Sequence, residues 1–170
     1  PLRLRRQGQM CIRDSNMHVF QSAGYVVMLL EQVHEVRVVP LDDRPHLPEN
    51  ITQWNGDARG YWDGNTLVVT TKNIDHRVSG LQPWSLFHSH EGSGDGLILV
   101  ERFTRTSSGE LEYAVEVTDP QMYTRPWTVS FPFSLSSDLM FEYACHEGNE
   151  GMVGILAGGR AEDAEEAASR

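Results

Sequence analysis

From Asn16 onward, large apolar side chains fall on every second position, and the alternation restarts after each short polar break. A strand turns successive side chains to opposite faces, so this period marks strands with one buried and one wet face. It predicts strands over Met17–Ser22, Tyr25–Glu31 and His34–Pro40, with Gly24 at the first turn and Pro40 closing the third. The run Arg59–Lys72, RGYWDGNTLVVTTK, reads as a hairpin turning on Asp63-Gly64-Asn65, residue types that tolerate positive φ. A second hairpin joins Leu97–Thr106 to Glu110–Thr118 across Ser107-Ser108-Gly109. Leu111, Tyr113, Val115 and Val117 keep the period, as do Trp127, Val129, Phe131 and Phe133, and then Leu139, Phe141, Tyr143 and Cys145. Leu41–Gln53 and Asn73–Gly96 read as loops, the second long enough to be functional.

About eight or nine short strands with hairpin turns and almost no helix specify an all-β fold. An antiparallel meander forming a lipocalin-like barrel or a sandwich is expected, with a short C-terminal helix or tail. Residues 159–170 are rich in Ala and Glu and are expected to be a flexible tail, which leaves 16–158 as a single β domain.

Composition changes this picture at one end. Residues 1–15 hold four arginines and one aspartate, +3, while the whole chain carries −10, so residues 16–170 carry −10 − 3 = −13. The stretch QMCIRDS within 1–15 looks like translated sequencing-adapter read-through, which makes this segment an expected non-native one. Cys11 goes with it, and Cys145 is then the cysteine that counts. Net negative charge argues against a nucleic-acid partner, since neutralising phosphates supplies most of that affinity. No apolar run approaches the ~20 residues that span a bilayer. Oligomeric state is not legible from the sequence.

Candidate chemistry is scattered. His88 and His90 lie two apart in His88-Ser89-His90-Glu91, a weak metal candidate without a third ligand in view. His146 and Glu147 follow the last strand pattern, where a strand end could present acid–base groups, and His34 opens the third strand. Arg44, His46, Arg59 and Arg125 sit at strand ends or in loops as candidate ligand contacts, with Trp54 as an aromatic wall. No phosphate-binding Gly-rich loop, GxSxG elbow, HExxH or CxxC is present, so no cofactor is expected.

Long runs do carry a resemblance. Gly56–Thr71, Val100–Arg105, Asp119–Trp127 and Phe141–Asn149, the last ending YACHEGN, are similar to motifs of an uncharacterised family of exported bacterial β-rich proteins. The resemblance spans roughly Val19 to Arg160 and implies a periplasmic or secreted protein whose natural N-terminal part is missing here. It also implies a cysteine partner for Cys145 upstream, and it names no reaction. The leading expectation is therefore a β-barrel-like domain binding a small apolar or aromatic molecule. Two alternatives stand beside it: a hydrolase or lyase using His and Glu acid–base groups, metal-assisted or not, and a structural or interaction domain of a larger exported protein.

Overall fold

The structure, a computed structural model, describes residues 2–6, 16–31, 35–75, 96–137, 139–140 and 150–168. Among the described residues, nine strands make one antiparallel sheet: β1 (Leu2–Arg6), β2 (Met17–Ser22), β3 (Tyr25–Leu30), β4 (Val36–Pro40), β5 (Asp57–Asp63), β6 (Thr66–Lys72), β7 (Ile98–Arg105), β8 (Glu110–Thr118) and β9 (Trp127–Leu135). Their order is β4-β3-β2-β1-β9-β8-β7-β6-β5. Strands β2–β4 are one meander and β5–β9 another, and β1 joins them by pairing with both β2 (Leu2↔Val19) and β9 (Leu4↔Leu135). The all-β antiparallel meander read from the alternation is the observed fold. The joining strand falls in the segment that composition sets apart.

Turn chemistry sets the registers. Asp63 pairs with Thr66 across a two-residue turn in which Gly64 alone has positive φ, 59°. Glycine at the first central position of a two-residue hairpin turn is the arrangement that matches the strands' twist. From that turn, every second residue of β5 and β6 points inward.

The two meanders fold over each other and share one interior. Met17, Val26, Met28, Leu30 and Val39 from the first pack with Leu67, Val69, Leu99, Phe103, Tyr113, Val115, Val117 and Phe133 from the second. Tyr113 is the hub of an aromatic group, with ring centroids 5.0 Å from Phe103, 5.1 Å from Phe131 and 5.8 Å from Phe133. Such pairs contribute roughly 0.5–1.5 kcal/mol each beyond their area.

Among the described residues no hydrogen-bonded ladder links β4 to β5, so the ring of strands is open at that seam. Side chains fill part of it. A Cβ on Gly60 would lie 2.8 Å from Val39 Cγ1 and 2.9 Å from Leu41 Cδ2, so only glycine lets β5 approach β4 this closely.

The helix α1 (Glu150–Ala168) runs through Gly158 and Gly159, where a tail is expected from composition. Its Ala and Glu content favours helix. It presents Ile155 and Leu156 to solvent, and its described residues are exposed. The strand expected from Leu139 lies almost wholly outside the described residues, and Leu139 itself is exposed.

Candidate functional site

Inward positions continue past the filled core toward the end of the sheet that carries the β5–β6 and β7–β8 turns. There the series Ala58, Gly60, Trp62 on β5 and Leu99, Glu101, Phe103, Arg105 on β7 run into open space, as does Met17, Val19, Gln21 on β2. The result is a cavity of about 510 Å³. Val19, Val26, Met28, Leu67, Phe103 and Leu111 form its walls, and Trp62 and Leu135, both half-exposed, stand at its mouth. Its polar rim comes from Gln21, Asn65, Arg105 and the turn Ser107–Glu110. The size falls within the ~300–1,000 Å³ of small-molecule sites, and the composition of apolar walls with few polar groups is theirs too.

Deeper in, the core holds a buried charge pair. Arg37 Nη1 donates to Glu101 Oε1 at 3.0 Å and Nη2 to Oε2 at 2.6 Å, a two-pronged contact with both side chains almost fully buried. Arg37 Nη2 also donates to Thr71 Oγ1 at 3.2 Å, and the Tyr113 hydroxyl donates to Glu101 Oε1 at 3.0 Å. Burial alone would push the guanidinium down, but the carboxylate of Glu101 outweighs it and holds Arg37 charged more firmly than usual. The group ties β4 to β6, β7 and β8, across the interior from one meander to the other.

Glu35 stands beside this pair. Burial pushes its carboxyl above the ordinary range, Arg37 works against that, and the charge of Glu101 adds to it. A raised folded-state value means its stabilising contribution is complete below the unfolded value, about 4.3, and is lost as pH rises through the folded one. Glu35→Gln is therefore expected to raise the melting temperature at about pH 7, with the gain vanishing near pH 4. Thermal melts of both proteins at the two pH values check this.

A third cluster anchors the loop between β4 and β5. Asp57, nearly buried at the start of β5, accepts from Leu47 N at 2.9 Å, lies 3.0 Å from His46 Nδ1 and pairs with Arg59. Arg59 Nε also reaches Pro45 O at 3.3 Å, and Asn73 Nδ2 donates to Leu47 O at 2.9 Å. Of the candidates read from sequence, this brings His46 and Arg59 together, with Asp57 as the organiser. The arrangement fixes the imidazole's orientation through Nδ1, and it equally fixes residues 45–48 against the sheet. Neither His46 nor Arg59 lines the internal cavity.

The remaining candidates lie apart. Arg44 turns back on its own loop, bonded through Nε and Nη2 to Asp42 and through Nη2 to Tyr25 Oη, all exposed, which makes it the brace of a surface turn. Trp54 is 61 % exposed on a turn beside β4, and Arg125 is exposed between β8 and β9. His34, His88, His90, His146 and Glu147 lie outside the described residues, as does Cys145. Among the described residues, no group of three or more His, Cys, Asp or Glu is placed to hold a metal ion. No helix among them is long and apolar enough to cross a membrane.

Sequence reasoning passed over the cavity residues Trp62, Arg105, Gln21 and Met28, and the partners Glu101, Thr71 and Tyr113. A signal existed for two of them: the alternation Leu99, Glu101, Phe103, Arg105 puts two charged side chains on an inward face. Set beside known proteins, the chain matches no family model, and neither the curated proteins nor the solved structures contain a significant match to it.

Proposed function

We propose that this domain binds a small, largely apolar molecule inside its curled sheet, which works as a lipocalin-like barrel with its mouth at the β5–β6 and β7–β8 turns. One observation carries the reading: the apolar cavity of about 510 Å³, open at one end and fringed by Trp62 and a few polar side chains. Burying an apolar ligand there releases water from both surfaces at roughly 25 cal/mol per Å². The sequence's resemblance to exported proteins fits a carrier or sensor working in the periplasm or outside the cell.

The test is titration with N-phenylnaphthylamine, a neutral dye that brightens in apolar surroundings. Saturable binding at one site is expected. Leu111→Trp, which pushes an indole into the cavity, is expected to weaken it at least tenfold, about 1.4 kcal/mol, with little change in melting temperature. Unchanged binding in that variant would remove the cavity from consideration.

The interaction reading also has one observation in its favour. At the open seam, Val36 and Val38 on the outer face of β4 are 51 % and 53 % exposed. An apolar edge of this kind can accept a strand from a partner. The acid–base reading has only His46 and Asp57 among the described residues, and their contacts serve the loop.

A further inference from the structure

The cavity's fittings select among apolar molecules, and here we infer that its ligand is an amphipathic anion: an apolar body ending in a carboxylate. This rests on the binding function proposed above and adds the ligand's chemical class to it. The charges at the mouth decide the sign of the ligand's head group.

On β7 the inward series Leu99, Glu101, Phe103 ends at Arg105, which lines the cavity. On the paired strand β8, Leu111 opposite Arg105 faces inward, so the alternation turns Glu110 and Glu112 to the outer face. Glu110, the first residue of β8, nonetheless lines the rim beside the Ser107–Gly109 turn. Arg105 is the cationic side chain among the cavity's lining residues and shares the rim with Glu110, while Glu101, deeper in, is already held by Arg37 and Tyr113.

Arg105 is exposed at the mouth, anchored on one side of its guanidinium and open on the other. Its Nε donates to Ser107 O at 3.1 Å, which fixes the guanidinium plane against the turn. Its backbone oxygen accepts from Asn65 Nδ2 at 3.0 Å, which fixes the strand end beneath it. Among the described residues Nη1 and Nη2 have no hydrogen-bond partner. Two parallel donors in a fixed plane match the two oxygens of a carboxylate. The Gln21 side chain, also on the rim, offers a further amide. Below them every wall is apolar, so a ligand anchored by its head would lay its body against Met28, Leu67, Phe103 and Leu111.

The chain's net charge of −10 works against anions in general. Discrimination must then come from the local cation, and removing that cation should abolish it. The same geometry would repel amphipathic cations, which the overall charge would attract. That opposition makes the inference sharp.

Displacement of N-phenylnaphthylamine by decanoate, decanol and decylamine tests it at about pH 8, where the first is anionic and the last cationic. Decanoate is expected to bind roughly tenfold more tightly than decanol, with decylamine weakest, because a charged hydrogen-bonded pair outweighs a neutral contact. Arg105→Gln is expected to bring decanoate down to the level of decanol and leave decanol unchanged. Arg105→Lys should keep part of the preference. Equal binding of decanoate and decanol by the parent protein, or a preference that survives Arg105→Gln, overturns the carboxylate assignment while leaving cavity binding intact. Failure of all three to displace the dye overturns both.

Discussion

Arg37→Met is expected to lower stability by about 3–5 kcal/mol, because it leaves the Glu101 carboxylate buried and uncompensated. Glu101 is fully buried, and besides Arg37 the hydroxyl of Tyr113 donates to it. One hydroxyl cannot replace a two-pronged guanidinium. Neutralising both charges is a different matter. In Arg37→Met with Glu101→Gln, the amide oxygen still accepts from Tyr113 and no charge remains in the core, so most of the loss should return. The two substitutions are thus expected to be strongly non-additive, with a coupling of about 2 kcal/mol or more. Acid should also help the single variant selectively. An isolated buried carboxylate has a raised folded-state pKa, so its penalty disappears below about pH 4 and grows as pH rises. Urea unfolding of the four proteins at two pH values measures all of this.

Phe103→Ala carries the second large effect, about 3 kcal/mol. Full truncation of a packed phenylalanine costs roughly 3–5 kcal/mol. Here one side of the ring packs on Tyr113 at 5.0 Å while the other lines the cavity, so fewer contacts are lost and the lower figure applies. The binding consequence runs the other way. Removing the ring enlarges the cavity without touching its mouth, and the dye is expected to bind as well as before or better. A parallel fall in stability and affinity would mean that Phe103 supports the site only by holding the fold together. Chemical denaturation and dye titration on the same preparation separate the two.

How far the sequence reaches is clearest strand by strand. β8 and β9 are legible because each keeps one apolar face through its whole length, whereas β7 interrupts its inward face with Glu101 and Arg105; the turn Gly64-Asn65 is legible because glycine there answers a backbone demand. β4 shows the limit. In Val36-Arg37-Val38 the period does not say which face is inward, and the structure turns Arg37 in and the valines out. The reason is non-local: Arg37 pairs with the inward-facing Met28 on β3 and meets Glu101, 64 positions away in sequence. Period alone cannot see a partner that distant.

The candidate site shows the same limit. His46 and Arg59 stand out as polar residues near strand ends, and they meet at Asp57, whose role the sequence does not single out. The cavity was invisible because it is made by what is missing at the end of the inward rows, a property of strand lengths and curvature rather than of any residue type. Trp62, on β5, stands half-exposed at the mouth for that reason.

The central claim is that an apolar ligand sits inside the sheet, and intermolecular NOEs from bound N-phenylnaphthylamine to the protein's methyl groups test it most directly. Contacts to Val19, Val26, Met28, Leu67 and Leu111 are the expected result. Contacts confined to Val36 and Val38, at the open seam, would place the ligand outside the sheet and contradict it.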